Sequence, residues 1–175
     1  MSFSFDKSWT LFLDRDGVVN KRLINDYVKT VEEFELLDGV AQSIAKANTV
    51  FGRVVVVTNQ QGIGKGLMSE RNLSDIHTYC SELLVKENAF IDAYYFAPGL
   101  ASENNELRKP NSGMALQAKN EFEEIDFNKS VMVGDSQSDI EFGKRLGMVT
   151  VFIGPAKNET ADFTAQSLYE WIKSI

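Results

Sequence analysis

Cysteine, histidine and proline are all scarce in this 175-residue chain, which holds one Cys, one His and three Pro. A lone Cys80 excludes an internal disulfide and fits a reducing compartment, so a cytoplasmic protein is expected. Three prolines are too few for a hinge-rich chain. No apolar run approaches the roughly 20 residues of a membrane span. The opening residues, Met1 to Lys7, show no basic region followed by an apolar stretch, so no signal peptide is expected. Positive charge is also in deficit: 18 Lys and Arg against 25 Asp and Glu leave a formal net charge of −7. That balance argues against nucleic acid or an anionic membrane as the main partner. It admits a small anionic ligand where local basic groups or a metal offset the charge. Internal repeats, low-complexity tracts and linkers are absent, so one domain over residues 1–175 is expected, and a monomer. Against these absences, 43% hydrophobic and 25% charged residues are ordinary for a globular chain with one sizeable core.

The most informative stretch is Leu11-Phe12-Leu13-Asp14-Arg15-Asp16-Gly17-Val18-Val19-Asn20. A short apolar run bounded by polar residues and Gly reads as a buried strand breaking into a loop. Asp14 and Asp16 then stand at the strand's carboxyl end. Two acids so close at the mouth of a hydrophobic strand are costly unless a cation or a proton sits between them. The bland alternative is an Asp-Gly turn with one solvated neighbour.

Further runs extend the pattern. Strands are expected at 9–13, 53–57, 90–96, 130–133 and 149–153, alternating with helices at about 39–47, 69–87, 112–122, 137–146 and from 168 onward. The aperiodic stretch 20–35 reads as a flap, and Gln60 to Gly66 as a glycine-rich loop. Alternating strands and helices imply right-handed crossovers, hence an α/β fold: a three-layer αβα sandwich on a five-stranded, mostly parallel Rossmann-like sheet. In such a sheet the loops after the strands share one edge. Asp14 and Asp16 follow strand one, Thr58 and Asn59 strand two, Arg108 and Lys109 strand three, and Asp135 and Asp139 strand four. Singly each is weak, since a loop Lys is usually solvated and a Gly-Asp pair before a helix is usually a cap. Jointly they make a phosphoryl-transfer site. Asp14 suits the nucleophile that forms an aspartyl-phosphate. Asp16 can protonate the leaving alkoxide and later deprotonate water. Mg²⁺, held by Asp14, the backbone carbonyl of Asp16 and Asp135, with Asp139 as a further candidate, would neutralise the charge of the site. Thr58 would hold phosphate oxygens and Lys109 would neutralise developing charge. Asn59, Gln60 and Lys65 are candidate substrate contacts, Lys65 for a second phosphate, although a plain surface loop explains it equally. His77, on the edge of a helical stripe, reads as structural and far from this edge.

The four motifs resemble those of the haloacid dehalogenase-like superfamily of aspartate-nucleophile phosphatases. Asp14-Arg15-Asp16-Gly17, Thr58, Lys109 and Gly134-Asp135-Ser136-Gln137-Ser138-Asp139 stand in the family's order. Within it, Leu13 to Asn20, Val57 to Ile63, and Arg108-Lys109-Pro110 with Gly113-Met114 are similar to the small heptose-bisphosphate and histidinol-phosphate phosphatases. That likeness implies a Mg²⁺-dependent phosphomonoesterase on a small phosphorylated metabolite, preferably a heptose 1,7-bisphosphate, with Arg108 touching substrate. Histidinol phosphate is the alternative substrate. Those relatives commonly carry a zinc loop before the Arg-Lys-Pro, but Ala97 to Leu107 holds no Cys and no His, so no zinc is expected there. The spans between Asp16, Thr58 and Lys109 leave no room for a large cap domain. Specificity should then rest on loops 21–34, 60–67 and 97–108.

A different class of protein also places acids, Thr and Lys on a parallel sheet: a phospho-acceptor signalling module that binds partners without turnover. Asp16 argues against it, because such modules lack an acid two residues after the acceptor. A haloalkanoate dehalogenase, which needs neither Mg²⁺ nor Asp16, is disfavoured for the same reason.

Overall fold

The computed structural model describes residues 3–175. Six parallel strands form one sheet in the order β3-β2-β1-β4-β5-β6. They are β1 Thr10–Leu13, β2 Arg53–Asn59, β3 Ala93–Ala97, β4 Ser130–Gly134, β5 Val149–Ile153 and β6 Phe163–Ala165. Five strands were expected, so β6 is a correction. Its three residues place an exposed Thr164 between the half-buried Phe163 and Ala165, too short an alternation to stand out from a loop. The third strand also starts later than residue 90. Phe90 is 51% exposed, and the Asn48 side chain takes up its backbone N–H and carbonyl, so pairing with β2 begins only at Ala93.

Helices α1 (Val40–Val50), α3 (Glu70–Val85) and α6 (Leu168–Lys173) cover one face of the sheet. Helices α4 (Gly113–Glu121) and α5 (Gln137–Arg145) cover the other. The period of two along β1 decides which core each side chain enters. Leu11 and Leu13 pack with Ile44, Ile76 and Trp171, whereas Phe12 packs with Met114, Ala118 and Phe142. In β2, Val54 to Val57 are fully buried on both faces, as a central parallel strand requires. Each such valine contributes roughly 1.5–3 kcal/mol by leaving water. Helix α3 starts where Ser69 caps it: its hydroxyl accepts the Asn72 N–H at 3.1 Å while Asn72 accepts the Ser69 N–H at 2.9 Å. The glycine-rich segment after β2 contains a short helix, α2 (Gln61–Gly64), and a single 3-10 turn, Val31–Glu33, interrupts the flap.

Topology then places the crevice. From β1 the chain proceeds outward to β2 and β3, then returns to β4, β5 and β6 on the other side of β1. The order reverses between β1 and β4, and ligands of such sheets bind outside the strands' carboxyl ends at that point. Leu13 pairs with Val56 and Val133, so Asp14, Thr58 and Asp135 leave three neighbouring strands at nearly one level. Among the described residues no large cap domain interrupts the sheet. Nor, among those residues, is any helix long and apolar enough to cross a membrane.

Candidate active site

Asp14 is still tied to the sheet, its N–H donating to the Val133 carbonyl at 2.9 Å. Its carboxylate is therefore aimed by a strand rather than by a loop. Lys109, from the loop after β3, is buried and its Nζ lies 2.7 Å from Asp14 Oδ1, 2.7 Å from Asp139 Oδ1 and 2.7 Å from the Val57 carbonyl. Carboxylate oxygens of Asp14, Asp135 and Asp139 all lie within 4.8 Å of one another. Two glycines make that approach possible. Gly17 turns at φ +94°, and a Cβ there would collide with the Asp135 carboxylate; at Gly134 a Cβ would collide with Asp139.

This crowding is costly, and the titration of the group records it. Burial, against the opposing Lys109 charge and with Asp139 adding to it, pushes Asp14 up to about 7. Burial likewise pushes Asp135 up to about 6, although Arg22 sits 3.1 Å from its Oδ2. Burial disfavours the Lys109 charge, yet Asp139 and Asp14 together hold its pKa above the ordinary lysine value. The buried Lys109 and the half-exposed Arg22 leave three clustered acids short of positive charge, and the buried Oδ1 of the half-buried Asp135 has no hydrogen-bond partner among the described residues. An all-oxygen donor set with an orphaned buried oxygen suits a hard divalent cation such as Mg²⁺.

Asp16 stands apart from that cluster. Arg15 Nη2 is 2.9 Å from both of its oxygens, Asn20 Nδ2 donates to Oδ1 at 2.9 Å, and Gln60 Nε2 donates to Oδ2 at 2.9 Å. Burial raises its pKa, but Arg15 and these donors outweigh it, leaving the group below the ordinary carboxylate value. The side chain of Asp16 is thus held by donors, while Asp14, Asp135 and Asp139 gather on the other side.

The remaining candidates fall around the mouth. Thr58 is buried, with Oγ1 accepting from Gln60 Nε2 at 2.8 Å. Gln60 itself is buried behind Asp16 and Thr58, where it supports both. Asn59 clamps the Lys109 backbone, accepting its N–H at 2.9 Å and donating to its carbonyl at 3.2 Å. A cleft of about 220 Å³ is lined by Asp14, Asp16, Arg22, Asn59, Arg108 and Lys109. A second cavity of about 540 Å³ adjoins it, sharing Asp16, Arg22, Tyr27 and Asn59 and adding Lys65.

Sequence reasoning missed several groups here. Arg22 and Tyr27 lie in the aperiodic flap, where nothing in the residue pattern marks them. Gln61 joins all three rim loops: its Nε2 donates to Tyr27 Oη at 2.8 Å and its Oε1 accepts the Ala101 N–H at 3.0 Å, while Lys65 donates to the same Tyr27 oxygen at 2.9 Å. Loop 97–108 is held further by the Gly64 N–H on the Pro98 carbonyl and by Glu103 and Asn105 on its own backbone. His77 is buried and stacked on Tyr94 at 4.4 Å between ring centroids. Burial lowers its pKa to about 3, and the Arg15 charge adds to that.

Known proteins resemble this chain over most of its length. A family model described as polynucleotide kinase 3 phosphatase matches residues 2–167. A D-glycero-alpha-D-manno-heptose-1,7-bisphosphate 7-phosphatase of Mycobacterium tuberculosis is 35% identical over 173 residues, covering 95% of this chain and 91% of the relative. The protein of that name from Burkholderia mallei is 37% identical over 154 residues, covering 84% and 80%. Among solved structures, the D,D-heptose 1,7-bisphosphate phosphatase of B. bronchiseptica, complexed with magnesium and phosphate, superposes with a TM-score of 0.83 at 26% identity. It covers 95% of this chain and 97% of that one.

Proposed function

The chain belongs to the polynucleotide kinase 3 phosphatase family of haloacid dehalogenase-like phosphatases, and on that footing we propose how it works and on what. It is a phosphatase, so the non-turnover signalling module falls away. The proposed reaction is Mg²⁺-dependent hydrolysis of a phosphomonoester through an aspartyl-phosphate on Asp14. The observation that carries it is the division of labour between two acids two residues apart. Asp14 sits in the anionic cluster against Lys109, and Asp16 sits outside it on three donors of its own.

Asp14, Asp135, the backbone carbonyl of Asp16 and Asp139 would hold the metal, which when bound lowers the repulsion between these carboxylates and a phosphate dianion. An oxygen of ionised Asp14 attacks phosphorus, the P–O bond to the sugar breaks, and Asp16, held as a carboxylate in the free chain but protonated once the negative charge of the substrate phosphate stands beside it, delivers that proton to the departing alkoxide. Asp16, now a carboxylate, takes a proton from water as that water attacks phosphorus; the bond to Asp14 breaks and both acids return to their starting forms. Thr58 and loop N–H groups bind phosphate oxygens, and Lys109 neutralises charge gathered in the transition state.

For substrate, we propose a sugar bisphosphate of the heptose 1,7-bisphosphate kind. Relatives named for that substrate match most of the chain, and the cavity beside the cleft bears Arg22 and Lys65, while Arg108 lines the cleft itself, basic groups of the kind a second phosphate requires. Release of phosphate from sugar phosphates, sugar bisphosphates and histidinol phosphate, each with and without Mg²⁺, tests the assignment. Highest kcat/KM is expected on the heptose bisphosphate. Strong preference for histidinol phosphate overturns the sugar, and undiminished turnover in EDTA overturns the metal.

A further inference from the structure

We propose that Arg15, the residue between the two acids, is a positioning residue that fixes the attitude of the Asp16 carboxylate for proton exchange with the substrate. Among the described residues it is the largest fully buried side chain, at 0% exposure. A buried guanidinium normally spreads its five N–H donors over several acceptors. Here only Nη2 is used, 2.9 Å from each oxygen of Asp16, while Nε and Nη1 have no partner. Its charge is felt by His77, Cys80 and Tyr94, none of which carries a negative charge to meet it.

For mere packing this is a poor choice, because an apolar side chain of similar volume would fill the space without an unpaired buried cation. Nor does the loop need the side chain. The Arg15 backbone carbonyl alone accepts the N–H groups of Val19 at 2.8 Å and Asn20 at 3.1 Å, which shapes the turn after β1. What the guanidinium adds is a third fixed point. With Asn20 on one oxygen and Gln60 on the other, Arg15 bridging both fixes the plane of the carboxylate and not just its location. A group that must aim one O–H at a departing oxygen gains from that rigidity.

The inference rests on the reading of Asp16 as proton donor, and the experiment keeps the two separable. Steady-state rates are measured for wild type, Asp16→Asn, Arg15→Met and Arg15→Lys on a series of phosphate esters, from sugar and alkyl phosphates to 4-nitrophenyl phosphate. An alkoxide needs a proton to leave; a nitrophenolate does not. Asp16→Asn is expected to lose about 10²- to 10⁴-fold on alkyl esters and far less on the nitrophenyl ester. Arg15→Met is expected to show the same selectivity, with roughly ten- to a hundredfold lost on alkyl esters, and Arg15→Lys, which keeps a charge and a donor, to fall between it and wild type. Equal loss across the series in the Arg15 variants, while Asp16→Asn separates the esters, makes Arg15 a structural residue and overturns the proposal. No separation in Asp16→Asn overturns the proton-donor reading instead. Circular dichroism checks folding, and if Arg15→Met does not fold, Arg15→Lys is decided by the same two criteria.

Discussion

At the amino ends of the strands, Arg53 reaches Asp92 at 2.9 Å and Glu124 at 2.8 Å, and Asp92 also accepts the Val54 N–H. At the carboxyl ends of the same sheet, Lys109 stands buried between Asp14 and Asp139, with Asp135 alongside. The amino edge carries a hollow of about 390 Å³ lined by Lys7, Trp9, Arg53, Glu124 and Lys129, and the carboxyl edge a cleft of about 220 Å³ with the adjoining cavity of about 540 Å³. The difference lies in how charge is held: matched and wet at one end, crowded and dry at the other. Burying more acids than cations is tolerable only where a ligand completes the balance.

The sharpest way to break that contrast is to neutralise the proposed nucleophile. Asp14→Asn should leave the fold intact by circular dichroism and drop turnover below about a hundredth of wild type, since the covalent route is lost. Residual turnover above that level counts against an aspartyl-phosphate. Next comes the cation. Lys109→Met strands two buried carboxylates and should cost about 3–5 kcal/mol in denaturant unfolding. Arg53→Ala, at the opposite edge, should cost only about 0–1 kcal/mol and spare activity. Equal costs at the two edges would erase the distinction drawn between them.

The metal gives a pH-dependent effect. In the folded chain without metal, Asp14 and Asp135 keep protons to about 7 and about 6, whereas unfolded aspartates release them near 3.8. The raised values stabilise the folded state at low pH, and that contribution is lost as pH climbs through about 4 to 7. Mg²⁺ needs the ionised ligands, so the rise in Tm on replacing EDTA with Mg²⁺ should grow over the same window. A shift that stays flat with pH would mean the metal binds elsewhere. The smallest effect concerns His77, the sole histidine. Its depressed pKa means that its ring signals in NMR should not titrate between pH 8 and pH 4, although a free imidazole changes near 6.5. Titration near 6.5 would show that the layer beneath Arg15 is wet.

Much of the fold was legible because its signals are local. The strand expected at 53–57 and the helix expected at about 69–87 each read correctly from nearest neighbours along the chain. The strand Phe163–Ala165 did not, since it is recruited by pairing with Val151 to Ile153 rather than by its own pattern. Among site residues, Asp14, Lys109 and Asp135 were legible from their place after strands. Arg22, Tyr27 and Gln61 were not, because their roles depend on contacts between loops that have no period to read. Gln60 was read as a substrate contact, yet its amide turns inward to Asp16 and Thr58.

The order of apolar runs and polar breaks was enough to determine an αβα sheet and to assign four chemically loaded loops to one edge. Parallel strands leave no other place for them. The tertiary structure alone decided how Asp16 would be held apart from the anionic cluster by Arg15, Asn20 and Gln60. The roles could be assigned to the two acids in advance, but the hold on Asp16 turns on distances of a few ångströms to Arg15, Asn20 and the distant Gln60, which only the folded chain brings together.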